Sequence, residues 1–267
     1  MSAVAIHRRP NKALGRFEML APLPVLRGLT VLVTGSGGFI GSRVCALLRE
    51  HGAKALEFDL PEGDVLREDF LPSADWCIHL AGHKYATSAE DTPADVAELN
   101  ITGTARMAEK YGSNLVLAST CKAADPMTVY GASKLIAERV ALNAGARVVR
   151  FVNVLGSTGS LLELWDAVPR GEPIPVAIEC LRMWMTPEEA THLIVGAIGW
   201  PSGRYALDVP EAEPVMELAR RVLPIDAKCM AIPPRRGDRK RERLLAEYET
   251  ASPHVPGVIR ITHPADA

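Results

Sequence analysis

LTVLVTGSGGFIG, residues 29–41, decides the fold. Leu29 to Thr34 is a run rich in β-branched residues and reads as a buried strand. Glycines follow at once, at Gly35, Gly37, Gly38 and Gly41. The spacing G-x-G-x-x-G fails, because Ile40 stands where its last glycine would be. Gly35, Gly38 and Gly41 fit G-x-x-G-x-x-G instead. Such a turn lets the backbone approach a pyrophosphate closely and leaves N–H groups exposed where a helix begins. Val44, Leu47 and Leu48 give that helix its apolar face. Strand, glycine turn and amphipathic helix, in this order, point to a dinucleotide held against Gly35, Gly38, Phe39, Ile40 and Gly41.

A second short strand, residues 55–58, ends at Asp59, about 20 positions beyond the glycines, where a carboxylate would grip the adenosine ribose hydroxyls. The same charge would repel a 2′-phosphate, which favours NAD over NADP. The competing reading of Asp59 is a solvated turn residue. Asp64 and Val65 follow and would border the adenine. Residues 76–82 form a third strand whose end, Leu80-Ala81-Gly82, is small enough for a cofactor to pass. His79 within it reads as a structural histidine. Helical periodicity spans residues 95–111. Strands and helices alternating in this way give an α/β class, a Rossmann-like doubly wound parallel sheet with helices on both faces.

Leu115 to Glu138, LVLASTCKAADPMTVYGASKLIAE, carries the chemistry. Leu115 to Ala118 reads as a buried strand, Ser119 to Lys122 as a polar loop, and Asp125-Pro126 as a turn. A helix beginning near Tyr130 places Tyr130 and Lys134 one turn apart on the same face. A cation close to a phenol favours the phenolate, so Tyr130 is a candidate base.

Residues 147–152 read as a further strand, and the loop 153–160 leads into a helix. Beyond residue 160 the elements shorten and the alternation breaks down, which suggests a small C-terminal substrate-binding lobe. The expected division is an N-terminal arm over 1–27, a Rossmann core over 28–160, and mainly the lobe and tail over 161–267. Thr186, Pro187 and Glu189 have the pattern of a capping box. The basic stretch 233–241 reads either as a diphosphate contact or as a solvated charged turn.

Composition narrows the function. With 48% hydrophobic and 23% charged residues and a net charge of -2, the chain has no general pull toward nucleic acid or acidic membranes. Five cysteines without a CxxC pair indicate a reducing, cytoplasmic compartment, and no metal site is expected. No apolar run reaches the ~18 residues of a membrane span. His7, Arg8 and Arg9 have no apolar stretch behind them, unlike a signal peptide.

Taken together, these motifs resemble the extended short-chain dehydrogenase/reductase superfamily. Within it they resemble the inverting UDP-N-acetylglucosamine 4,6-dehydratases and their polysaccharide-biosynthesis relatives. Leu14-Gly15-Arg16, the segment from His79 to Lys84, Asn100 to Thr104, Asn153 to Ser160, Arg182 to Thr186 and Arg235 to Arg239 all match family segments. The resemblance implies a retained NAD, a UDP-HexNAc substrate and frequent assembly into homo-oligomers. It implies catalytic roles for Thr120, Cys121, Lys122, Tyr130 and Lys134, and substrate contacts from Lys84, Asn153, Arg182 and Arg235. Thr120 would hold the sugar O4, Tyr130 would take its proton as C4 is oxidised, and Lys122 would remove the acidified C5 proton. Cys121 stands where the family has aspartate. It is either the acid that protonates the departing C6 hydroxyl or a small apolar filler. That substitution keeps open an epimerase or 5,6-dehydratase alternative. A second departure is the short link from Asp59 to Gly63.

Overall fold

The structure, a computed structural model, describes residues 20–67, 71–235 and 237–266. Leu14-Gly15-Arg16, most of the expected arm and Arg236 lie outside these described residues. The main sheet consists of β1 (Thr30–Thr34), β2 (Lys54–Phe58), β3 (Trp76–His79), β4 (Leu115–Thr120), β5 (Arg147–Phe151), β6 (Gly203–Leu207), β7 (Thr250–Val255) and β8 (Val258–Thr262). Their order across the sheet is β7-β8-β6-β5-β4-β3-β1-β2. Every pairing from β2 to β6 is parallel, and β8 and β7 close the far edge antiparallel. The chain reverses direction across the sheet between β1 and β3, the switch point above which doubly wound folds bind ligands.

Four longer helices flank the sheet, α1 (Phe39–Glu50), α2 (Gly103–Tyr111), α3 (Val129–Asn143) and α4 (Pro187–Gly196), while a fifth, α5 (Val215–Val222), packs into a smaller core of its own. One apolar cluster packs α1 and α4 on one face, with Val31, Val33, Val44, Leu48 and Ile194 fully buried. Another lies under α2 and α3 on the opposite face, around Leu32, Met107, Leu115 and Ala141. The long helix expected over residues 95–111 is interrupted. A helical turn, Pro93–Ala97, passes through a π-helical turn, Glu98–Thr102, before α2. β4 runs two residues further than expected, so Ser119 and Thr120 end the strand rather than open a loop.

The division expected at residue 160 does not follow the sheet. A separate core of Leu162, Trp165, Ile174, Val176 and Leu218 does define a small lobe. Yet α4, β6, β7 and β8 all return to the main body. α4 starts with the expected capping box: Glu189 N donates to Thr186 Oγ1 at 3.1 Å, and Thr186 N donates to Glu189 Oε2 at 2.8 Å. Within the expected arm, Leu26 is buried, and the Ala21 carbonyl meets His192 Nε2 at 2.7 Å.

The most heavily charged part of the interior lies under α3. Glu138 is fully buried and accepts from Arg150 at 2.8 Å through both oxygens, from Arg204 Nε at 2.8 Å, and from Ser119 Oγ at 2.5 Å. Glu249 completes the group with bonds of 2.6 and 2.9 Å to Arg150. The two guanidiniums hold the Glu138 carboxyl below its usual range against the opposing effect of burial. Removing one partner from such a group leaves buried charge without compensation. Glu138→Gln is therefore expected to cost about 3–5 kcal/mol, read as a lower urea midpoint at unchanged slope.

Candidate active site

β1 delivers the chain into the glycine turn. Gly35 has φ +69°, and its N–H donates to the Phe58 carbonyl at 2.9 Å. A Cβ at Gly35 would lie 2.7 Å from the Ala81 nitrogen, and one at Gly41 would lie 2.1 Å from the Gly35 carbonyl oxygen. Only glycine lets α1 and the loop after β3 close on this turn. Gly38 precedes α1 with no side-chain cap, so the helix retains the unsatisfied N–H groups that suit a phosphate. Asp59 is half-buried, and its Oδ2 accepts from Gly37 N at 2.9 Å, which places the carboxylate on the glycine turn. This cradle fits a dinucleotide.

The catalytic side is built by β4 and α3. Thr128 caps α3, its Oγ1 accepting from Gly131 N at 3.1 Å. A Cβ at Gly131 would lie 2.5 Å from the Lys122 carbonyl oxygen. That glycine lets the first turn of α3, and with it Tyr130, lie directly on Thr120 and Lys122. Asn100, buried in the π-helical turn, braces the same helix. Its Nδ2 donates to Ser133 Oγ at 2.9 Å, and its Oδ1 accepts from His83 N at 2.8 Å, tethering the loop that carries Lys84.

The electrostatics differ from the sequence expectation in three respects. Burial holds the Tyr130 phenol above its ordinary pKa, and the forces opposing this are the Lys122 ammonium and a hydrogen bond with Thr120. The expected depression by Lys134 is absent. Lys134 is itself nearly enclosed, and burial lowers its pKa to about 8 against the pull of Glu138. Cys121 is 1% exposed, does not border the cavity, and has its pKa pushed up to about 12, first by burial and then by Glu242. It sits in the apolar cluster beneath the site, with its Sγ 3.8 Å from Glu242 Oε2.

Glu242, which the sequence reading passed over, sits at the centre of this side. Its Oε1 accepts from Lys122 Nζ at 2.8 Å and its Oε2 from Asn153 Nδ2 at 2.5 Å, with Arg182 Nε at 3.5 Å and Cys121 Sγ at 3.8 Å. Burial opposes the charge on Lys122, but Glu242, with help from Cys121 and Tyr130, more than offsets it, and the lysine is held as an ammonium. Lys122 is therefore not poised as the base the resemblance implies. Arg182 is buried and turned inward, meeting Glu242, Asp238 and the carbonyls of Leu181 and Arg239. Arg235 is about half exposed at the rim, beside Asp238. The basic stretch is neither solvated throughout nor wholly turned to the cavity. Arg239 reaches the Ala124 carbonyl, Lys240 pairs with Glu179, and Arg241 pairs with Glu211. Nothing in residues 233–241 marks Glu242, which follows them. Its contacts are made across about half the chain.

A single cavity of about 1130 Å³ joins all this. On one side it is bordered by Gly35, Gly38, Phe39, Ile40 and Gly41, with Asp59, Asp64 and Val65 beyond them and Leu80, Ala81 and Gly82 above. Thr120, Lys122, Tyr130 and Lys134 border its middle. Lys84, Asn153, Arg182, Arg235 and Glu242 border the end nearest the small lobe. Among the described residues no cluster of side chains suits a metal ion, and no helix is long and apolar enough to cross a membrane.

Comparison with known proteins agrees with this geometry. Residues 58–263 match a family described as polysaccharide biosynthesis protein. The probable polysaccharide biosynthesis protein EpsC of Bacillus subtilis is 29% identical over 90% of this chain and 49% of its own length. An inverting UDP-N-acetylglucosamine 4,6-dehydratase of Campylobacter jejuni serotype O:2 is 29% identical over 50% of this chain and 46% of its own. The chain thus spans about half the length of these curated relatives. Among solved structures, MoeE5 in complex with UDP-glucose and NAD is 25% identical with a TM-score of 0.63, covering 76% of this chain and 85% of that one. With most of its length matched and its strands wound as in these neighbours, the chain belongs to the polysaccharide biosynthesis protein family, on an extended short-chain dehydrogenase/reductase fold.

Proposed function

We propose that the protein is an NAD-dependent nucleotide-sugar 4,6-dehydratase acting on a UDP-HexNAc, with UDP-GlcNAc as the leading substrate. The observation that carries this reading is the continuous cavity. It brings a dinucleotide cradle, the Thr120–Tyr130–Lys134 group and a lobe carrying Arg235 to one place. The names borne by the Campylobacter and MoeE5 relatives supply the chemical class.

Gly35, Gly38 and Gly41 would hold the pyrophosphate, and Asp59 the adenosine ribose. NAD held there would supply reversible hydride chemistry beside the sugar. The chain's own residues handle protons and position. Tyr130 accepts the O4 proton, and Thr120, hydrogen-bonded to it, orients the same oxygen. Because burial raises the phenol's pKa, phenolate formation draws on Lys122 and on that hydrogen bond. A ketone at C4 acidifies the C5 proton, which makes loss of the C6 hydroxyl feasible with a modest base.

Mixing the protein with UDP-GlcNAc and no added reductant is expected to yield a product lighter by one water. A mass-neutral product with exchanged hydrogen would instead indicate an epimerase. Tyr130→Phe is expected to lower turnover by about 10²–10⁴-fold, while NAD still binds by fluorescence quenching.

Lys134 gives a second test. An unfolded lysine titrates near ~10.4. Between pH 8 and that value the unfolded chain holds a proton that the folded one lacks, so stability rises with pH across this window. The wild type should therefore gain stability relative to Lys134→Met over that range in urea titrations. A flat difference would show that the lysine is not enclosed as described.

A further inference from the structure

We infer that Glu242 is a catalytic residue, and that it and Lys122 together form the proton-transfer couple of the elimination; this rests on the dehydratase reading above. Eliminating water from a 4-keto sugar needs one group to take the C5 proton and another to protonate the departing C6 hydroxyl. Cys121 is sealed away from the cavity and so is available for neither. Tyr130 is occupied with O4.

The described carboxylates bordering the cavity are Asp59, Asp64, Asp91, Asp238 and Glu242; Asp59 is bound to the glycine turn, Asp64 pairs with Arg67, and Asp238 with Arg235. Glu242 alone forms an ion pair with Lys122, at 2.8 Å. A carboxylate offers about four lone-pair sites. The close donors to Glu242 are Lys122 and Asn153, with Arg182 and Cys121 standing further off at 3.5 and 3.8 Å. Asn153 also meets Lys122 Nζ through its Oδ1 at 3.3 Å, so one amide orients both members of the couple.

The step balances with the two groups in their resting charge states. Glu242 takes the C5 proton, and the C5–H electron pair becomes the C5–C6 π bond. The C6–O pair leaves with the oxygen, which receives a proton from the Lys122 ammonium and departs as water. The resulting carboxylic acid and amine then exchange one proton across their hydrogen bond, which restores the ion pair. No outside acid or base is consumed.

The test uses the full chain with NAD and UDP-GlcNAc in heavy water, following bound NADH by absorbance and the sugar by mass. In Glu242→Gln, NADH is expected to form and persist, water loss to slow by about 10²-fold or more, and exchange at C5 to stop. The inference is overturned if Glu242→Gln loses water and exchanges C5 at the wild-type rate. It is also overturned if NADH formation falls as much as water loss does, because Glu242 would then organise the site rather than move protons. If the wild type itself forms no NADH with UDP-GlcNAc or UDP-glucose, the dehydratase reading falls, and this inference with it.

Discussion

Glu138 is the constraint on which the rest depends. One carboxylate inside α3 holds Ser119 at the end of β4, Arg150 on β5 and Arg204 on β6. The helix that presents Tyr130 and Lys134 is thereby fixed against three neighbouring parallel strands. A helix held only by apolar packing could slide by fractions of a turn. One held by a bidentate guanidinium contact has its register specified, because the planar fork accepts few geometries. A buried ionic group of this kind adds little net stability compared with an apolar replacement. Its contribution is to fix where the phenol lies.

A second buried carboxylate plays the corresponding part in the chemistry. Glu242 converts the residues around it from a set of motif positions into a charge-balanced site: an ammonium at Lys122, an inward guanidinium at Arg182, and an amide at Asn153 pointing one way. The lobe that carries Glu242 has its own small core around Trp165 and Leu218. Its polar contacts with Lys122 and Asn153, just beyond β4 and β5, relate it to the Rossmann body at this point.

The half of the fold that obeys local rules was legible. The β-branched run before Gly35, the small residues after β3, the one-turn spacing of Tyr130 and Lys134, and the capping box at Thr186 each follow from contacts within a few residues. The small lobe was also visible as a break in periodicity. Its boundary was not, because the return of β6 and the β7–β8 hairpin to the sheet depends on pairings that no short window contains. The site divided in the same way. Residues bordering the cavity were recognisable from motifs, but their charge states were not. Burial sets the direction at Tyr130, Lys134 and Cys121, and a glutamate 120 positions away from Lys122 decides its proton. Gly131 and Asn100 carried weak signals: a glycine inside a helix, and an asparagine where the helical pattern needed neither.

The anchoring of α3 also has a consequence in time. Arg150 waits 99 residues of translation for Glu249, roughly 5–20 s at ordinary elongation rates. During that interval the nascent chain carries every recognisable dinucleotide motif, yet its central guanidiniums lack their second carboxylate. The Rossmann half can therefore emerge from the ribosome well before it can settle, and the last strands to be made complete the burial of charge at its centre.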